Sequence, residues 1–292
     1  MKGCNICPRN CFADRESDKK GFCGEGEKIA VSRIGLHMWE EPSISGSRGS
    51  GTIFFRGCNL RCVFCQNKLI SRGGGACHEL DSKELAREML GLRDMGAHNI
   101  NLVTPTHFVP HIAEALRLVK GELGIPVVYN SSGYESVESL RALEGLIDIY
   151  LPDFKYASQK LAADYSNAPD YPKVAEAAVS EMFRQVGANV IDNEGIMRRG
   201  VIVRHLVLPS CRADSFDVLN ILCRILPKNE FKLSLMSQYT PEFAADCDFK
   251  NLHRKVTSFE YNSVLEYAIS LGLDGYFQSR SSATSAYTPD FE

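Results

Sequence analysis

Cys58, Cys62 and Cys65 fall inside "RGCNLRCVFCQN" (residues 56–67) with the spacing C-x3-C-x2-C. Thiolates at such close quarters are soft ligands for zinc or iron–sulfur centres. A structural zinc, or a four-iron cluster held only by protein, takes four ligands, so this set is one short. As plain packing residues the three would need an apolar setting, and Asn59, Arg61 and Gln66 make the stretch too polar for a core. Zinc would be completed by His78 as a Cys3His set, although zinc modules usually pair C-x2-C units with a second, separated pair. A four-iron cluster with three cysteines would leave one iron open, as catalytic metal sites keep an exchangeable position. That iron would accept a small molecule carrying an amine and a carboxylate.

A second group, Cys4, Cys7, Cys11 and Cys23, gives C-x2-C-x3-C-x11-C within "MKGCNICPRNCFADRESDKKGFCG". Four thiolates with short loops and glycines at the turns suit one metal or cluster, and zinc and an auxiliary iron–sulfur cluster fit the spacing equally. A cluster would relay electrons or bind substrate; zinc would brace fifty residues that lack a core of their own. The third reading is four unligated thiols in a tail. Arg9 and Arg15 read equally well as solvated or functional. Of the eleven cysteines, Cys77, Cys211, Cys223 and Cys247 are scattered and read as ordinary small residues. The N-terminus has no apolar h-region and is not a signal peptide, so the expectation is a cytoplasmic protein with reduced thiols.

These residues must be positioned by a folded domain. Hydrophobic residues make up 44% of the 292 and charged ones 24%, enough for a real core. A net charge of −3 offers no basic field to nucleic acid or anionic lipid, and no apolar run is long enough for a membrane span. Short β-branched runs occur at 29–36 and then at 52–55, 99–104, 126–130, 147–151, 201–208 and 231–236. Helix-period segments at 81–95, 111–120, 214–226 and 258–271 alternate with them, the first opening on Asp81 and Glu84 at capping-box spacing. Residues 156–199 read as an insertion or elongated connection. The pattern predicts an α/β fold, a partial (βα)6 TIM barrel over 51–292 behind a small cysteine-rich module at 1–50, with the site at the C-terminal strand ends. A doubly wound open sheet is the alternative. The glycine clusters "SGSRGSG" and "RGGGACH" match no phosphate-binding pattern and read as loops.

With these elements in place, the three-cysteine loop resembles the signature of the radical SAM superfamily, C-x3-C-x-φ-C with φ aromatic, matched by Cys58, Cys62, Phe64 and Cys65. The resemblance implies a [4Fe-4S] cluster whose open iron is filled by S-adenosylmethionine (SAM). Its reductive cleavage would give a 5′-deoxyadenosyl radical that abstracts hydrogen, with Phe64 near the adenine. Among radical SAM enzymes the chain is most similar in kind to the activases of glycyl radical enzymes. "YLPDFKY" resembles their D-x-K motif and implies Asp153 and Lys155 near SAM. "VIVRHLVLPS" resembles their fifth-strand segment and implies Arg204 for the SAM carboxylate; "VYNSSGY" implies Asn130 for the ribose. After the second strand this chain has "TPTHFVPH" where activases carry an acid for the SAM amine, leaving Thr104, Thr106 or His107 for that contact. His107 and His111, four apart, read as a helix start rather than a metal pair. "LMSQYTP" after the sixth strand brings the neutral Gln238 and Tyr239. Together with "EEPSISG", "GSGTIFF", "CQN" and "YTPDF", these departures resemble the pyruvate formate-lyase activating enzyme-like (PflX-type) branch. That resemblance implies a glycyl radical enzyme or another peptide or small molecule as substrate. It also implies a low-potential donor such as flavodoxin or ferredoxin. A zinc-bound structural or binding module is the reading from outside enzymology.

Overall fold

The short apolar runs become strands buried on both faces, which is why they lack the alternation of a half-exposed sheet. The structure, a computed structural model, describes residues 3–17, 19–278 and 291. Its strands are β1 Ile29–His37, β2 Ser50–Phe55, β3 His78–Leu80, β4 Ile100–Val103, β5 Val127–Ser131, β6 Ile149–Pro152, β7 Val190–Ile191, β8 Met197–Leu206, β9 Lys232–Met236 and β10 Gly275–Phe277. They pair in the order β10-β9-β8-β6-β5-β4-β2-β1-β3, with β7 attached antiparallel to β8. From β2 to β10 every neighbouring pair on that path is parallel, while β1 runs antiparallel to both β2 and β3.

The parallel strands follow chain order without reversal. A doubly wound sheet reverses at a switch point, so that alternative falls. Among the described residues no pairing joins β10 to β3 and the sheet stays open. All six expected strands are present, so the fold is α/β with a mostly parallel central sheet. β1 pairs with β2 from Val31 to His37 and so crosses the expected boundary at residue 50. Residues 156–199, expected as an insertion or elongated connection, are the connection: the helix Tyr171–Val186 packs on both β6 and β8 and makes the crossover between them.

The helix Ser82–Asp94 shows how local signals set an element's start. The Asp81 carboxylate accepts from Lys83 N and Glu84 N, each at 2.8 Å, and the Glu84 carboxylate accepts from Asp81 N at 2.8 Å. Asp81→Ala removes this reciprocal cap and is expected to cost about 1 kcal/mol, seen as a melting temperature lowered by about 2 °C.

The first residues lie against this fold through arginines. Arg15 is only 1% exposed; it donates to Gly26 O and, at 2.6 Å, to His107 O, with its guanidinium 5.2 Å from the Phe108 ring centre. Arg15 is therefore an anchor rather than a solvated charge. No helix among the described residues is long and apolar enough to cross a membrane. Of "YTPDF", only Phe291 lies within the described residues; its ring meets Phe54 edge-on at 5.4 Å.

Candidate active site

The three-cysteine loop leaves the C-terminal end of β2 through Gly57, whose φ is +80°. A Cβ there would stand 2.6 Å from both Cys23 O and Glu25 Cγ, so only glycine permits the N-terminal segment to lie this close. Cys58 N donates to Cys23 O across the same contact, and Arg56 grips the buried Glu25 through two bonds of 2.9 and 3.0 Å. Asn59, with no exposed surface, donates to Tyr134 O at 2.6 Å. Arg9 donates to Asn59 O at 2.7 Å and stacks on the Phe22 ring at 3.9 Å, while Val63 N donates to Tyr165 O at 2.8 Å. Asn59, one of the polar residues that argued against a core, thus helps pin the loop's backbone in place.

Each thiol sulfur has a donor or hydroxyl beside it. Leu60 N donates to Cys58 Sγ at 3.3 Å, Ser166 Oγ donates to Cys62 Sγ at 3.0 Å, and Ser71 Oγ lies 3.4 Å from Cys65 Sγ. Burial and the neighbouring cysteines push the Cys58 and Cys65 thiols up, against the pull of Lys155. Thiols so buried ionise only against a strong cation, and hydrogen bonds to sulfur are what cluster thiolates carry. Among the described residues no three His, Cys, Asp or Glu side chains converge as ligands of a single metal ion. Cluster thiolates bind separate irons and need not converge on one point, so the three cysteines fit a cluster better than a lone zinc. His78 is exposed on the edge strand β3 and does not reach the cavity, so the Cys3His set does not form.

Opposite the loop, the C-terminal ends of β5, β6 and β8 supply a charged network. Arg204 Nε donates to Asp153 Oδ1 at 3.0 Å, Nη2 to Asn130 Oδ1 at 2.6 Å, and Nη1 to Glu40 Oε2 at 3.4 Å. Lys155 Nζ donates to the other Asp153 oxygen at 2.5 Å. Burial opposes ionisation of Asp153, but Lys155 and Arg204 outweigh it and hold the carboxyl below its ordinary range. Burial likewise opposes the charge on Lys155 and Arg204; Asp153 raises both. Gly133, φ +75°, lets the turn after Asn130 approach the Asp153 carbonyl, which a Cβ would meet at 2.2 Å.

Cys58, Cys62, Cys65, Phe64, Asn130, Asp153, Lys155 and Arg204 all line one cavity of about 330 Å³. The fold has gathered every residue of the expected core site. Of the alternatives after the second strand, only Thr104 lines the cavity, its backbone held at φ +60°. Thr106 donates to Glu135 at 2.7 Å, and His107 bonds Arg56 O at 2.6 Å with burial lowering its pKa to about 4. His111 pairs with Glu27 at 3.3 Å rather than with His107. Gln238 lines the cavity, whereas Tyr239 is buried behind Phe64 with its hydroxyl bonded to Leu252 O.

Sequence reasoning missed Glu40 and Glu41, which line the cavity from the β1–β2 connection. The only signal was two adjacent acids before a proline in "EEPSISG", the ordinary look of a solvated turn. The N-terminal cysteines share a neighbourhood as well: burial pushes Cys7 up to about 12, with Cys23 and Cys4 adding to it, and Cys23 in turn is raised by burial, Cys4 and Cys11.

Residues 52–193 match the family model described as the radical SAM superfamily. The chain is 32% identical over 289 residues to MJ0674, an uncharacterized protein of Methanocaldococcus jannaschii; the match covers 94% of this chain and 76% of that protein. In fold it resembles Streptococcus suis SuiB bound to the precursor peptide SuiA, with a TM-score of 0.51 and 14% identity over 76% of this chain and 46% of SuiB. It also resembles HydG, a maturase of the [FeFe]-hydrogenase, with a TM-score of 0.51 and 14% identity over 80% of this chain and 53% of HydG. The chain thus spans about half the length of these solved structures, and the likeness to them is one of fold. With the cysteine loop at the end of its first parallel strand and the family match across it, residues 52–193 of the chain form a radical SAM superfamily domain.

Proposed function

We propose that this chain binds a [4Fe-4S] cluster through Cys58, Cys62 and Cys65, cleaves SAM reductively, and abstracts hydrogen from a peptide or protein substrate. The observation that carries this is the meeting, in one cavity, of three donor-supported thiols and the Asn130–Asp153–Lys155–Arg204 network. When bound, the cluster supplies the electron that splits the sulfonium C–S bond of SAM, giving methionine and a 5′-deoxyadenosyl radical. The protein's own groups do the positioning. Arg204 spends three of its five N–H donors on Asp153, Asn130 and Glu40, leaving two for the SAM carboxylate. Asn130 keeps amide capacity for a ribose hydroxyl, and Phe64 presents an apolar ring to the adenine. Asp153 and Lys155 hold Arg204 in orientation.

The finer reading is activation of a glycyl radical enzyme, supported by the resemblance of the segments around Asp153 and Arg204 to those of the activases. A glycyl radical lies between two amides, which favours that Cα–H as a target. Modification of another peptide is the second reading, favoured by the shared fold with SuiB, which was solved with a precursor peptide. The reading includes an auxiliary iron–sulfur cluster at Cys4, Cys7, Cys11 and Cys23, favoured over zinc because these thiols do not converge on one ion, a low-potential flavodoxin or ferredoxin as donor, and a cytoplasmic setting.

Anaerobic reconstitution with iron and sulfide, followed by reduction with dithionite, tests the proposal. The expected result is a brown protein that releases methionine and 5′-deoxyadenosine, with electron paramagnetic resonance on a co-purifying partner showing a glycyl doublet. A colourless, zinc-loaded protein that leaves SAM intact would overturn the chemistry. A brown, SAM-cleaving protein that never produces the doublet would overturn only the activase role.

A further inference from the structure

We propose that Tyr171, which does not line the cavity, is a positioning residue for it: its hydroxyl fixes where Asp153 and Lys155 stand against the turn that follows Asn130. The inference rests on the SAM reading above and adds a residue to it. Tyr171 opens the helix Tyr171–Val186, is fully buried, and has no place in the cavity wall. Whatever it does for a bound molecule it does through other residues.

The strand ladder stops just short of the residues that need placing. β5 and β6 pair in register from Val128 and Ile149 to Ser131 and Pro152, and Asp153 N donates to Ser131 O at 2.9 Å as a last rung. On the β8 side the backbone carries on, with Phe154 N donating to Arg204 O at 2.8 Å. On the β5 side a side chain carries on instead. The Tyr171 hydroxyl accepts from Lys155 N at 2.9 Å and lies 2.8 Å from Ser132 O and 3.0 Å from Asp153 O. A phenol has one proton to donate, so the two carbonyls share it. One oxygen thus ties Ser132, Asp153 and Lys155 together. Gly133 makes room for it, since a Cβ there would stand 3.2 Å from that hydroxyl.

The ring of Tyr171 backs the supports of the cysteine loop. It stacks on Tyr134, with ring centres 6.0 Å apart and planes 14° apart, and meets Tyr156 edge-on at 5.5 Å. Tyr134 O accepts from Asn59, and Tyr156 OH bonds the Ser166 hydroxyl that donates to Cys62 Sγ. One buried side chain therefore touches the supports of both the charged network and the thiols. A misplacement of about 1 Å in an active site can cost about a hundredfold in rate, so the anchoring of Lys155 matters to a ligand that Tyr171 never meets.

The test compares Tyr171→Phe with Tyr150→Phe. Tyr150 is also fully buried, and its hydroxyl bonds Gln185 Oε1 on the same helix at 2.6 Å, away from the cavity wall. Both variants lose one buried hydroxyl, so both should melt lower, and both should keep their iron after anaerobic reconstitution. Tyr171→Phe alone should weaken SAM binding to the holoprotein by about tenfold in calorimetry, because the unpaired Lys155 N–H and the freed carbonyls shift the strand ends. It alone should also speed amide exchange at Lys155 by about tenfold, because that N–H has lost its acceptor. In a protein that binds SAM, the absence of either difference between the two variants overturns the proposal, whatever their melting temperatures. The exchange measurement needs no SAM. An unaltered holoprotein that binds no SAM, with Lys155 exchange still answering to Tyr171→Phe alone, counts against the SAM reading only; with exchange unmoved, both fall.

Discussion

Cys62→Ala is expected to reduce SAM cleavage to background and to strip the brown colour from the reconstituted protein. A three-cysteine site has no spare ligand, and His78 is exposed on an edge strand away from the cavity. The structure also predicts a graded series. Ser166 is fully buried and donates to Cys62 Sγ at 3.0 Å, with Tyr156 OH 2.8 Å from its hydroxyl. Groups that bond a metal ligand typically contribute ten- to a hundredfold to metal affinity or activity, so Ser166→Ala should lose about tenfold while retaining iron. Cys77 does not line the cavity, and Cys77→Ala should keep both iron and cleavage. Iron content, visible absorption and methionine release read all three variants. Retention of iron and turnover by Cys62→Ala would remove that residue from the ligand set.

What the sequence disclosed was whatever local spacing encodes. The interval between Cys58, Cys62 and Cys65 specifies a ligand set without reference to the fold. Six of the seven parallel strands carry an apolar run because both faces are largely buried, so they stand out, and the Asp81–Glu84 cap is a four-residue motif. β3, β7 and β10 went unread because two or three residues cannot show a period and owe their strand geometry to a neighbour's edge. Glu40 and Glu41 went unread for a different reason. Their roles depend on the β1–β2 connection passing over strand ends far away in sequence, where Asn101, Asn130 and Arg204 wait. The same is true of Arg9, which looks like any solvated arginine until Asn59 and Phe22 are placed beside it.

Arg204→Ala is expected to be the most destabilising single change in the cavity. The guanidinium side chain is 18% exposed and stands among Asp153, Glu40 and Glu41, with Asp153 and Glu40 in direct contact. Removing one partner from a buried ion network typically costs about 3–5 kcal/mol, because the remaining charges stay desolvated and uncompensated. In a chain of this size that lowers the melting temperature by roughly 6–10 °C. The loss should depend on pH in a defined direction. Glu40 and Glu41 already have raised carboxyl pKa values through burial, with Arg204 opposing the rise, and deleting Arg204 lifts them further. A carboxyl raised above its unfolded value binds a proton more readily when folded, so its contribution is present at low pH and is lost as pH rises through the folded pKa. Asp153, which Arg204 and Lys155 hold low, loses part of that support, which also removes stability above the carboxylate range. The gap between Arg204→Ala and the unaltered protein should therefore be widest near neutral pH and narrow as the pH falls toward the carboxylate range. Arg204→Lys separates charge from shape: it restores a cation to the carboxylates, and with it most of the stability, but not the forked donors available to a bound carboxylate. SAM affinity should stay low in the lysine variant while thermal stability recovers. Equal melting temperatures for Arg204→Ala and the unaltered protein at neutral pH would mean that the network does not hold the cavity together.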